Sequence, residues 1–98
     1  MKNSSEIMAG DFYYHYKHDT VGAVNNFAYV VIGTALETEL ENFLIIYKPL
    51  YPNEQKLFAR PIELFTGTVT VDNVEIQRFS KITDQSIINQ LKSFNGIN

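Results

Sequence analysis

The 98-residue chain contains no cysteine and no tryptophan, and its eight basic residues include only two arginines, Arg60 and Arg78. The absence of cysteine excludes a disulfide framework, thiolate catalysis and any cysteine-ligated zinc or iron–sulfur site. The formal net charge is -3, and the lysines are scattered. This charge pattern argues against a general nucleic-acid binder, because neutralising phosphates requires clustered lysine and arginine.

Long apolar runs are also missing. The longest run, Phe27–Leu36, is interrupted by Gly33 and Thr34, and it falls short of the roughly 18 residues that a membrane span needs. No apolar stretch follows Lys2, so the first residues do not read as a secretory signal. The sequence therefore predicts a cytoplasmic chain with no membrane partner.

Hydrophobic residues make up 45% of the chain, which is too many for a disordered protein of small net charge. The length suits one domain of about 100 residues. We predict a single domain over residues 1–98, with a β core at about 11–82 and a C-terminal helix at about 84–94.

Several segments favour strands. Residues 11–18 are dense in aromatic side chains, Phe27–Leu36 is rich in β-branched ones, and Phe43–Leu50 is a second apolar run. The clearest signal is local. The turn Asp72-Asn73 separates two alternating segments, so that a two-residue hairpin loop pairs Val71 with Val74 and Val69 with Ile76.

After about residue 83 the hydrophobic residues follow a helical period. Thr83 or Asp84 can cap a helix in which the apolar residues recur at three- and four-residue steps: Ile87, Ile88, Leu91 and Phe94. About three turns with one apolar stripe are marginal alone in water, so this helix must dock. It can dock on the β core, or it can build a homodimer with a second subunit.

These elements predict a mainly β fold. We expect a small, strongly bent antiparallel sheet or an SH3-like open barrel, with the C-terminal helix covering one open end or face.

Six sequence motifs, in order along the chain, are typical of one family of small bacterial proteins. They are Tyr13-x-His15-Tyr16-Lys17, Tyr29-Val30-Val31-Ile32-Gly33-x-Ala35, Glu37-Thr38, Ile46-Tyr47-x-x-Leu50-Tyr51, Phe58-Ala59-Arg60-Pro61-Ile62-Glu63-Leu64-Phe65 and Arg78-Phe79. Over about residues 13–82 the chain resembles the domain of unknown function 1653. It departs from the family pattern in the longer segment 18–27, in Phe58 where tryptophan is common, and in Gln77 where proline is usual. The resemblance implies a compact β domain and supplies no activity.

We predict a binding surface of tyrosines and one arginine. Tyrosine combines a flat apolar ring with a polar hydroxyl. Arginine stacks on such rings or forms bidentate hydrogen bonds to carboxylate or phosphate. Small β modules hold peptides, small molecules or nucleic acid in this way. The opposing interpretation is that the tyrosines only close the ends of a barrel while Arg60 pairs with Glu63 or another acid. The predicted ligand-binding residues are His15, Tyr16, Lys17, Tyr47, Tyr51, Arg60 and Glu63.

Two other functions stay open. An enzyme of unknown substrate could use His15 and Glu63 as general acid and base. An RNA-associated accessory domain would present its cations on one face: Lys17, Lys48, Lys56 and Arg60.

We assign no catalytic residue, no metal and no cofactor. His15 and His18 point to opposite faces of an extended strand and cannot chelate together. Three alternate glutamates would line one face of an extended segment and could hold a hard cation, but their ligand set is incomplete and they suit a solvated hairpin tip: Glu37, Glu39 and Glu41.

Overall fold

The computed structural model describes residues 7–54 and 56–95, which form strands with two helices. In chain order the elements are β1 Phe12–His15, β2 Ala28–Glu37, β3 Asn42–Pro49, β4 Phe58–Pro61, α1 Ile62–Phe65, β5 Thr68–Val71, β6 Val74–Gln77, β7 Phe79–Lys81 and α2 Gln85–Asn95. Neither helix is long and apolar enough to span a membrane.

The strands build two antiparallel sheets. The main sheet has the order β4-β3-β2-β1-β7, and β5 pairs only with β6. The mainly β prediction with a C-terminal helix is therefore confirmed. Within the part of the chain that the structure describes, β4 and β7 do not pair and the sheet stays open. The fold is thus a small sheet, and the SH3-like barrel is not confirmed.

The main sheet is strongly bent. Neighbouring strands lie about 4.8 Å apart, so the backbones of the two edge strands of a flat five-stranded sheet would be about 19 Å apart. Side chains stand roughly perpendicular to a sheet, so those on one face of a flat sheet would stay well separated too. Here the guanidinium carbon of Arg60, on edge strand β4, lies 5.5 Å from the ring centre of Phe79, on edge strand β7. The β2–β3 register shifts between Val31 and Gly33, and a bulge of this kind bends a strand and increases its twist.

Side chains alternate between the two faces of this sheet. One face, here called the aromatic face, carries a core cluster composed of Ile7, Tyr13, Tyr29, Val31, Ile45, Tyr47, Ile62, Phe65 and Phe79. The other, the helix-covered face, carries Phe12, Ala28, Val30, Leu50, Ile82 and Leu91. Because α2 contributes to the second cluster only, it leaves the aromatic face free of that helix.

Helix α2 docks within its own chain. The Asp84 carboxylate accepts hydrogen bonds from the backbone N–H groups of Ser86 and Ile87 at 2.9 and 3.3 Å, which confirms it as the cap. Leu91 is fully buried against the sheet. The apolar stripe that a homodimer would need therefore packs against the β core of the same chain. The homodimer remains a prediction, which light scattering can test.

The β5–β6 hairpin has the predicted register, with Val71 opposite Val74 and Val69 opposite Ile76. Asp72 and Asn73 have φ angles of 52° and 65°. Two successive positive φ values belong to the type I′ turn, whose twist matches that of the flanking strands. The hairpin pairs with no strand of the main sheet, so Val74 stays exposed.

Candidate functional site

The strand registers bring the predicted site residues together. Cross-strand neighbours on one face of a sheet lie within side-chain contact. His15 is opposite Phe79, and Tyr47 is opposite Phe58. Arg60 lies two residues beyond Phe58 on the same strand, so both side chains point to the aromatic face.

Three buried rings form the floor of the site. Tyr29, Tyr47 and Phe79 meet edge to face, with ring centres 5.2 to 5.8 Å apart. Each ring is almost inaccessible to solvent. Edge-to-face packing adds to the stabilisation that comes from burying the rings, so this floor belongs to the hydrophobic core.

Five half-buried or exposed side chains surround that floor. His15 contacts Phe27, and Phe27 contacts Tyr51, at ring-centre distances of 5.7 and 6.0 Å. Phe58 lies 5.7 Å from Tyr47. We call the floor and this rim together the aromatic patch; its rim is His15, Phe27, Tyr51, Phe58 and Arg60.

Polar atoms inside the patch pair with one another. The Arg60 Nε–H donates to the Tyr47 hydroxyl at 3.3 Å. The hydroxyls of Tyr29 and Tyr51 share a hydrogen bond of 2.7 Å. Burial, and then this bond, raise the pKa of Tyr29 far above the ordinary range, so its hydroxyl keeps its proton.

His15 sits in a cationic environment. Burial, followed by the positive charges of Arg60, Arg78 and Lys17, lowers the pKa of His15 to about 4, so the ring is neutral at pH 7. The backbone N–H of Lys17 donates to His15 Nδ1 at 3.1 Å. Because Nδ1 accepts, the proton of the neutral ring lies on Nε2, which is a free donor with respect to the described residues.

Arg78 is a second cation at this site. Its backbone is held between Gly67 and Tyr16 by hydrogen bonds of 3.0 and 2.8 Å. Its Nε is buried and has no hydrogen-bond partner in the part of the chain that the structure describes. A buried donor without a partner is uncommon and costs free energy.

The structure brings together most of the predicted residues. His15, Tyr47, Tyr51 and Arg60 belong to the patch, while Tyr16 and Lys17 adjoin it. The Tyr16 ring lies 4.5 Å from that of His15, and the Lys17 ammonium 6.0 Å from that of Tyr16.

Glu63 is not part of the aromatic patch. It is exposed on α1, and its carboxylate has no hydrogen-bond or ion-pair partner among residues 7–54 and 56–95. Arg60 has no carboxylate partner among the same residues. The structure thus does not contain the Arg60–Glu63 pair of the opposing interpretation.

Sequence reasoning missed five members of the site. They are Phe27, Tyr29, Phe58, Phe79 and Arg78. The family motifs contained four of these residues, in Tyr29-Val30, in Phe58-Ala59-Arg60 and in Arg78-Phe79, so reading every motif position as a site candidate would have found them.

The two histidines are separated by the sheet. His18 stacks on Tyr14, which packs on the helix-covered face, with ring centres 3.5 Å apart, and its Nδ1 is 2.7 Å from the Asn26 carbonyl oxygen. Glu37 accepts the backbone N–H groups of Glu39 and Leu40, which closes the β2–β3 turn. No group of three potential metal ligands occurs among the residues described.

The cations that the RNA hypothesis requires do not share one face. Lys48 is opposite Val30 and therefore points to the helix-covered face, whereas Arg60 points to the aromatic face. Lys48 and Lys56 instead line a cleft of about 460 Å³ beside Leu50 and Phe94, which adjoins the aromatic patch only through Tyr51.

The environment of His15 predicts a pH-dependent stability. The unfolded chain takes up the His15 proton near pH 6.5, whereas the folded chain resists protonation down to about pH 4. The unfolded state therefore binds more protons in this window, and stability falls as the pH drops from 6.5 to 4. Since the ring is half exposed, solvent screens the cations, and we expect a loss of about 1 kcal/mol.

Urea denaturation at pH 7 and pH 5 checks this expectation. His15→Gln should show a smaller loss than the parent chain, and Asn89→Gln, on α2, should behave like the parent. A loss of equal size with and without His15 would show that another group is responsible.

A family model matches most of the chain. The family model described as protein of unknown function (DUF1653) matches residues 11–81, which confirms the resemblance predicted from the motifs. No curated protein matches the chain, and no solved structure does.

Proposed function

This chain belongs to the DUF1653 family of proteins of unknown function, and we propose that it is a non-catalytic binding module whose aromatic patch holds its ligand. The observation that carries the proposal is the approach of the two sheet edges. Arg60 of β4 reaches Phe79 of β7, so aromatic side chains from four strands and two loops join in one surface around a guanidinium.

The exposure of the rim supports binding rather than packing alone. Phe27 is 38% exposed although it contacts the rings of both His15 and Tyr51. Tyr51 and Phe58 are only half-buried where they adjoin the core. Tyrosine and arginine next to apolar surface are the side chains that contribute most to binding energy at protein interfaces.

Two observations favour binding over catalysis. A pKa of about 4 makes the neutral His15 ring a weak base at pH 7, far from the value that suits general acid–base chemistry. Glu63, the other half of the enzyme hypothesis, is exposed on α1 with no partner among the described side chains.

The size of the patch favours a small molecule over a peptide or a nucleic acid. Its rim consists of five side chains around three rings. RNA is the less favoured partner because Lys48 and Arg60 point to opposite faces of the sheet.

Amide chemical-shift titration with small planar compounds tests the proposal. We expect benzamide or benzoate to shift resonances of the rim, and Tyr51→Ala to weaken that binding about tenfold, because it removes one stacking wall. Phe43→Ala is the matched control, since Phe43 is exposed and outside the patch. Shifts confined to the cleft near Lys48 and Phe94, or no shifts at all, would contradict the proposal.

A further inference from the structure

We infer that the ligand is a planar molecule carrying one terminal anionic group, a carboxylate or a phosphate, which meets the Arg60 guanidinium beside the His15 ring. This inference rests on the proposed function and names the ligand class of the same site. It is carried by uncompensated charge and by donors that lack acceptors at one edge of the aromatic patch.

The charges come first. The positive charges of Arg60, Arg78 and Lys17 all act on His15, and no carboxylate of the described residues opposes them there. This concentration of positive charge occurs on a chain whose formal net charge is -3. Placing like charges together costs free energy in the free protein, and an anion at their centre relieves that cost.

The hydrogen-bonding groups point to the same chemistry. Arg60 uses its Nε for the Tyr47 hydroxyl, which leaves the terminal nitrogens of its guanidinium for another acceptor. The His15 Nε2–H has no acceptor in the described residues, since Nδ1 accepts from the backbone N–H of Lys17. Both groups are donors only, so the missing partner is an acceptor.

The position of Arg60 explains why one ligand would combine a ring with an anion. Its guanidinium carbon lies 5.5 Å from the Phe79 ring centre, and Phe79 contacts His15 at 5.1 Å. The donors therefore border the aromatic rings directly. A planar group can pack on the rim while its carboxylate or phosphate meets the guanidinium in the forked geometry that arginine favours.

Four probes that share a phenyl ring and differ in charge test this inference: benzoate, phenyl phosphate, neutral benzamide and cationic benzylamine. Affinities are measured by amide shift titration of the full chain at pH 7. We expect at least one anion to bind about tenfold more tightly than benzamide, and benzylamine to bind most weakly. The two anions distinguish a carboxylate ligand from a phosphate ligand.

Variants that remove one positive charge show which residues cause the preference for anionic probes. Arg60→Gln should reduce the ratio of anion to benzamide affinity to about one, and Arg78→Gln, which removes a charge that acts on His15, should reduce it by less. Lys92→Gln, an equal charge change on the exposed side of α2, should leave that ratio unchanged. Bound anion should also raise the pKa of His15, because it stabilises the protonated ring.

The outcomes separate the two proposals. Equal binding of benzamide and both anions at the patch would overturn the anionic class and leave the binding function standing. An anion preference that survives both arginine variants would also overturn it. Absence of any shift at the rim would overturn the binding function together with the inference.

Discussion

Replacing Phe79 with alanine should lower the free energy of unfolding by about 3–5 kcal/mol. Phe79 is 4% exposed, and its ring stacks on Phe65 with centres 4.3 Å apart and planes inclined by 6°. The same ring contacts Tyr29 and Tyr47. The substitution leaves a cavity lined by rigid rings that cannot collapse to fill it.

Urea denaturation followed by circular dichroism measures this loss. The matched control is Phe43→Ala, because Phe43 is 55% exposed on β3, and we expect it to cost less than about 1 kcal/mol. Where Phe79→Ala does not fold, Phe79→Leu fills part of the cavity and should show a smaller loss of the same sign. Equal losses at positions 43 and 79 would show that Phe79 does not hold the curled sheet together.

Replacing Leu91 with alanine should lower the free energy of unfolding by about 2–5 kcal/mol. Leu91 is the fully buried side chain of α2, and it packs among Phe12, Val30 and Ile82. An 11-residue helix is marginal in water without such packing, so part of the helical circular dichroism signal should be lost as well.

Leu40→Ala is the control for this prediction, since Leu40 is 76% exposed at the β2–β3 turn and should tolerate the change. Light scattering on the parent and both variants adds an independent readout. A dimeric parent that becomes monomeric in Leu91→Ala without loss of stability would contradict intrachain docking and support the predicted homodimer instead.

The aromatic patch combines residues from distant parts of the chain. Tyr47, Tyr51, Arg60 and His15 were predicted as one surface from their residue types, and the structure places them at one patch. The sequence does not specify their ligand. The anionic class that we infer for it rests on the donors of Arg60 and His15 and on the positive charges around His15.

Glu63 shows the opposite case. The opposing interpretation paired it with Arg60, three residues earlier in the chain. In the structure Arg60 belongs to β4, which ends at Pro61, and Glu63 belongs to α1. Arg60 contacts Tyr47 and Phe79 instead.

By itself, the sequence determined the features that depend on near neighbours. These are the β5–β6 register around Asp72-Asn73, the extended run after Phe27 and the stripe of α2, because each follows from side-chain periodicity and turn chemistry within a few residues. Only the tertiary structure decided which strands became edges and how far the sheet bends. Bending depends on a bulge and on packing between residues distant in sequence, and it is what places Arg60 over Phe79.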